Sequence, residues 1–138
     1  MSDLNEIFVR HQVRLGPLLP ILHDVQAQFG HVSDDVIREI ANELNLTRAE
    51  VHGVVSFYHD FRKTPDARPV IKLCRAEACK ARGVEAMVAD AEAAAGGRVK
   101  IEPVYCLGLC SVGPAAMVGG NVHARLTSDR LVELVMQI

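Results

Sequence analysis

The chain has 138 residues, 49% hydrophobic and 23% charged, which is enough apolar material for a packed core and excludes a disordered chain. A net charge of -2 with scattered basic residues gives no electrostatic footprint for nucleic acid or anionic lipid, and 4% aromatics without tryptophan leave few platforms for base stacking. No apolar run approaches the roughly 20 residues that span a bilayer, and no basic stretch followed by an apolar run opens the chain. The sequence therefore predicts a soluble, cytoplasmic protein, in which four cysteines serve more readily as ligands or redox groups than as disulfides.

Residues 1–65 read as a helical region. Leu15, Leu18, Leu19, Leu22 and Val25 recur at helical steps, with Pro17 and Pro20 near the start of that helix and Gly30 at its end. Ser33 is an expected N-cap, followed by Asp34 and Asp35, and Val36, Ile37, Ile40, Ala41 and Leu44 form the apolar face of the next helix. Thr47 and Glu50 make a capping-box pattern ahead of Val51, Val54, Val55 and Tyr58.

Lys63 to Pro69 reads as a linker, and residues 66–138 as a second domain with a different period. Val70 to Leu73 is a strand candidate. Gly83 to Ala95 reads as a helix ended by Gly96-Gly97, and Val99 to Glu102 as a second strand. That order implies a parallel βαβ unit. Ala115 to Val118 and Asn121 to Ala124 flank Gly119-Gly120 as a hairpin, and Thr127 caps a last helix through Leu131, Leu134 and Val135. The expected class is α+β: an N-terminal helical bundle followed by a βαββα domain of thioredoxin-like arrangement.

The cysteines fall as Cys74-x4-Cys79 and Cys106-x3-Cys110. Each pair closely follows a strand candidate, so a parallel βαβ unit delivers both pairs to one end of the sheet. Four thiolates so gathered suit an iron–sulfur cluster or zinc. Short C-x2-C knuckles are the commoner zinc pattern, and wider loops suit a larger two-iron group, but spacing leaves zinc and a redox dithiol open. No C-x-x-C is present, which weighs against thioredoxin chemistry. Gly83, Gly108 and Gly113 are expected to permit close backbone approach, and Ala76, Ala78, Leu107, Leu109 and Val112 to form an apolar shell. No G-x-G-x-x-G or P-loop accompanies them.

Leu19-Pro20-Ile21-Leu22, Phe29-Gly30, Val51 to Tyr58, the two cysteine pairs and Gly113-Pro114 together resemble a known family. It is that of the thioredoxin-like [2Fe–2S] subunits of NADH-dehydrogenase modules, with the 24-kDa subunit of complex I and the gamma subunit of soluble NAD-dependent formate dehydrogenases as examples. Arg75 to Ala78 and Tyr105 look more like the formate dehydrogenase member. The resemblance implies that Cys74, Cys79, Cys106 and Cys110 hold one [2Fe–2S] cluster. It also implies a flavoprotein partner carrying FMN and the NAD site, within a larger hetero-oligomeric complex. The chain itself would have no substrate site. Alternatives are a complex I-type or NAD-linked hydrogenase subunit, a free-standing ferredoxin, or a zinc-binding interaction module.

The remaining candidates carry blander expectations. His52 and His59 are expected on one helix face, Glu77 as a tuning or merely solvated carboxylate, and Met87, Met117 and Met136 as core filler. Phe57, Tyr58 and Phe61 are expected either to form an exposed docking patch or, more in keeping with the sequence, to pack the helical part onto the βαββα domain.

Overall fold

The computed structural model describes residues 2–138. The chain forms two compact units that part between Ala67 and Arg68, each with its own hydrophobic core.

The first unit contains α1 (Ser2–His11), α2 (Leu18–Phe29), α3 (Asp34–Leu44) and α4 (Arg48–Phe57). Ile7, Ile21, Leu22, Val25, Ile37, Ile40, Val51 and Val55 meet in its core. Fully burying side chains of this size contributes about 1.5–3 kcal/mol each. Local chemistry marks the helix ends. Gly30 closes α2 at φ 77, Ser33 Oγ accepts from the Val36 N–H at 3.3 Å, and Thr47 and Glu50 complete a reciprocal capping box. The Gln26 side chain accepts from the Arg62 N–H at 2.7 Å and donates to the Asp60 carbonyl, tying the segment after α4 to α2.

Leu15 departs from its expected place on the α2 face. It is 98% exposed in the connection between α1 and α2, because the left-handed Gly16 and then Pro17 start the helix later. Pro20 stands in the first turn, where its missing N–H would have had no helical acceptor. His59 follows the end of α4, so it does not share a helix face with His52. Phe61 is buried in this core, while Phe57 and Tyr58 stay exposed in an edge-to-face pair.

The second unit contains β1 (Val70–Cys74), α5 (Glu77–Ala81), α6 (Val84–Ala95), β2 (Lys100–Val104), β3 (Ala116–Val118), β4 (Asn121–His123) and α7 (Ser128–Met136). The sheet order is β2-β1-β3-β4; β1 pairs parallel with β2 and antiparallel with β3, and β3 pairs antiparallel with β4. Ile71 and Leu73 join Val84, Met87 and Ala91 of α6 and Leu131 and Val135 of α7 in one core. Met136, expected inside, is 64% exposed at the end of α7.

Two details of the sheet have clear physical reasons. β2 extends beyond its expected end and runs through Pro103, which is tolerated because β2 is an edge strand and that position needs no N–H toward a neighbour. The β3–β4 turn uses Gly119 and Gly120 at φ 55 and 85, the pair of positive values a tight two-residue hairpin turn requires. Among the described residues, no helix is long and apolar enough to cross a membrane.

Candidate metal centre

The site is built by the parallel pairing of β1 with β2. Cys74 is the last residue of β1 and stands opposite Val104, the last of β2. The Arg75 N–H donates to the Val104 carbonyl at 2.8 Å, carrying the pairing one step past the strand. Cys106 follows two residues after Val104, so both cysteine loops leave the sheet at the same end. From the other side, the Cys74 N–H donates to the Ala115 carbonyl at 2.9 Å.

The two pairs differ in environment. Cys74 and Cys79 are each only 2% exposed and belong to the core of the second unit. Cys106 and Cys110 are exposed, with their sulfurs 3.5 Å apart. That separation is close to the roughly 3.8 Å expected between two thiolates on one tetrahedral metal. The thiols of Cys74 and Cys79 influence each other, Cys74 being held down and Cys79 pushed up. Among the described residues, no three His, Cys, Asp or Glu side chains are grouped tightly enough to hold a single metal ion. The four sulfurs therefore stand as two pairs.

Backbone N–H groups point at these sulfurs. Burial pushes the Cys74 thiol up, but N–H groups of Ala76, Cys106 and Leu107 and the Cys79 thiol outweigh it and hold Cys74 below its ordinary value. Two of those donors come from the second loop, so Cys74 Sγ is a junction between the loops. The Gly108 N–H donates to Cys106 Sγ at 3.3 Å. Burial, then the neighbouring Cys74, push the Cys79 thiol up against an opposing N–H from Ala115. The Cys106 thiol pushes Cys110 up in the same way. Deprotonation is thus easier at Cys74 than at Cys79 or Cys110, and a bound cation would favour the thiolate form of each.

The second loop holds a strained geometry to do this. Cys106 is a non-glycine residue at φ 96, followed by Gly108 at φ 78. Such left-handed backbone costs a side-chain-bearing residue about 1–3 kcal/mol and concentrates at functional sites. The turn aims the Gly108 N–H back at the Cys106 sulfur. Ala76, Leu107 and Leu109 pack partly buried against the core beside the cysteines.

The three glycines expected to allow close approach divide. A Cβ at Gly83 or Gly108 would meet nothing within 4 Å; those glycines serve their positive φ. A Cβ at Gly113 would lie 3.0 Å from Cys79 Sγ, so of the three only Gly113 leaves room that a sulfur needs. Sequence reasoning misses α5, which carries Cys79, and the single 3-10 turn over Cys110–Val112. Neither has enough residues for a period to show. Glu77 is exposed in the first turn of α5. Arg75, adjacent to Cys74, is bound by Glu85 in a two-point ion pair, Nε to Oε1 at 3.0 Å and Nη2 to Oε2 at 2.5 Å.

Comparison with known proteins gives this arrangement a lineage. The NADP-reducing hydrogenase subunit HndA of Solidesulfovibrio fructosivorans is 28% identical over 131 residues, 88% of this chain and 77% of that protein. An NADH-quinone oxidoreductase subunit of Escherichia coli (strain K12) is 33% identical over 120 residues, 80% of this chain and 72% of that protein. Among solved structures, an NAD+-reducing [NiFe]-hydrogenase in the H2-reduced state superposes with a TM-score of 0.72 at 27% identity, over 88% of this chain. This chain spans 22% of that hydrogenase chain. Residues 4–138 match the family described as thioredoxin-like [2Fe–2S] ferredoxin. With nearly its whole length matched, the chain belongs to the thioredoxin-like [2Fe–2S] ferredoxin family.

Proposed function

We propose that Cys74, Cys79, Cys106 and Cys110 are the four ligands of one [2Fe–2S] cluster, held by the domain of residues 66–138. We further propose that the chain is an electron-transfer subunit of a cytoplasmic NAD-linked oxidoreductase. The observation that supports the ligand assignment is the β1–β2 ladder, which stands Cys74 opposite Val104, two residues before Cys106, and so favours a common centre for the two pairs. A donor set of four thiols in two pairs, with N–H groups aimed at sulfur, fits a two-iron sulfide cluster. When bound, such a cluster supplies one-electron oxidation and reduction.

The protein's residues supply the rest. Cys74 and Cys79 seat one side of the centre in the apolar core, where water is excluded. Cys106 and Cys110 present the other side toward solvent, where a redox partner can approach. The N–H groups stabilise sulfur charge, and the strained second loop keeps them aimed without reorganisation.

The names of the relatives support a place in a complex: one belongs to an NADP-reducing hydrogenase and another to an NADH-quinone oxidoreductase. The partner is then a flavoprotein subunit that carries FMN and the NAD site and exchanges single electrons with this chain. Arg75-Ala76-Glu77-Ala78 and Tyr105 favour the gamma subunit of a soluble NAD-dependent formate dehydrogenase as the finer identity, with the helical region 1–65 serving assembly.

Anaerobic purification from the native host tests both levels. The expected result is a brown protein with two irons and two acid-labile sulfides per chain, an EPR signal on reduction, and co-purification with a flavoprotein having formate:NAD activity. A colourless chain with one zinc overturns the cluster assignment. A cluster-bearing chain that purifies alone overturns the subunit role, and a partner with hydrogenase or quinone-reductase activity overturns the formate assignment.

A further inference from the structure

Two arginines flank the first cysteine pair, and the fold treats them differently. Arg75 follows Cys74 and is neutralised by Glu85. Arg82 follows α5, three residues after Cys79, and its Nη2 donates at 3.1 Å to the Ser111 carbonyl. Ser111 is the residue after Cys110, within the turn that carries that cysteine. Among the described residues no carboxylate pairs with Arg82, and the acceptor of its head group is a neutral carbonyl. A full positive charge is therefore tethered at the edge of the candidate cluster site.

The tether depends on the backbone of the second loop. The Cβ position of Gly113 lies 3.6 Å from Arg82 Cδ as well as 3.0 Å from Cys79 Sγ. The Arg82 stem and the Cys79 sulfur thus share the space that a side chain at residue 113 would take. The Arg82 N–H also donates to the Cys79 carbonyl at 3.2 Å, so the arginine is anchored to the Cys79 turn by its backbone and to the Cys110 turn by its head group. It is the kind of contact that fixes where a charge sits relative to both loops.

We propose that Arg82 is a positioning residue that raises the reduction potential of this centre. The inference rests on the cluster assignment above. One electron taken from a one-electron donor adds one unit of negative charge within the four thiolates, with no bond made or broken. A fixed cation nearby stabilises that extra charge more than it stabilises the oxidised state, and so favours reduction. Because Arg82 is exposed, the effect should weaken as salt screens it. Arg75 has no such effect, since Glu85 cancels its charge.

The test compares the full-length chain with Arg82→Gln and Arg82→Lys, each purified anaerobically and assayed for iron and sulfide before redox titration followed by EPR. The expected result is a lower midpoint potential for Arg82→Gln, a midpoint near that of the unaltered chain for Arg82→Lys, and a difference between Arg82→Gln and the unaltered chain that narrows with added salt. Equal midpoints at full iron content overturn the proposal, as does a difference indifferent to salt. If Arg82→Gln loses its cluster, Arg82→Lys decides: a loaded cluster with a near-native midpoint supports the charge, whereas loss there too assigns Arg82 to holding the loop and overturns the proposal. An unaltered chain lacking iron and sulfide fails the cluster assignment itself, before any variant is compared.

Discussion

The two units of this chain are stabilised in contrasting ways. In the helical unit, local preference and tertiary packing agree. Side chains cap α3 and α4, aliphatic residues face inward, and among the described residues the left-handed positions outside glycine reduce to Asn45 closing α3. In the second unit, the sheet and its helices are equally regular, but the cysteine loops are not. Two core positions are taken by thiols, a cysteine adopts φ 96, and a sulfur occupies the space that a Cβ at Gly113 would need. Where local rules are broken together in one place, the chain is shaped for something besides stability.

The largest expected effect comes from the thiols. Replacing Cys74 or Cys110 with Ser should each abolish most iron binding and visible absorbance, because oxygen is a harder, poorer ligand for this centre. Only the buried position should also lower the melting temperature of the metal-free chain; equal melting for the two variants would erase the distinction between inner and outer pairs. Next come the cores. Leu22→Ala and Leu73→Ala each remove a fully buried side chain and should cost about 2–5 kcal/mol in chemical denaturation. Leu73→Ala should also reduce cluster loading, since Leu73 precedes Cys74 on β1, whereas Leu22→Ala should leave the visible spectrum unchanged.

Smaller effects belong to the helix caps. Thr47→Ala removes the side-chain half of the α4 cap and should cost about 1 kcal/mol, again without spectral change. The smallest is a pH dependence. The Thr47 backbone N–H, then its hydroxyl, hold the Glu50 carboxyl below its usual value. That contribution is complete above the ordinary carboxylate range near about 4.3 and is lost as pH falls through the depressed folded value. Acid titration of helical circular dichroism should show Glu50→Gln losing less stability on acidification than the unaltered chain.

Much of this architecture is legible from residue order. The period of three to four residues marks α2, α3, α4, α6 and α7, and Gly119-Gly120 marks the hairpin. The cysteine spacing, set beside a strand–helix–strand order, places both pairs at one sheet end. What stays hidden has physical causes. Left-handed backbone is announced by glycine or asparagine, so nothing in the sequence flags Cys106. A strand through Pro103 looks forbidden until the sheet order makes β2 an edge. The Arg82 contact to Ser111 joins residues 29 apart with no periodic signal between them. Gly113 is recognisable as a close approach, but Gly83 and Gly108 look the same in sequence and serve a different purpose.

The β1–β2 register has one more consequence. With Cys74 opposite Val104, the ladder acts as a ruler that sets the reach of both cysteine loops. Adding or deleting one residue between Lys100 and Cys106 would slide that ruler by about 3.3 Å and turn the following side chains to the opposite face. Length variation in descendants of this chain should therefore gather in stretches such as Lys63 to Arg68, and spare the few residues that lead into the second pair of thiols.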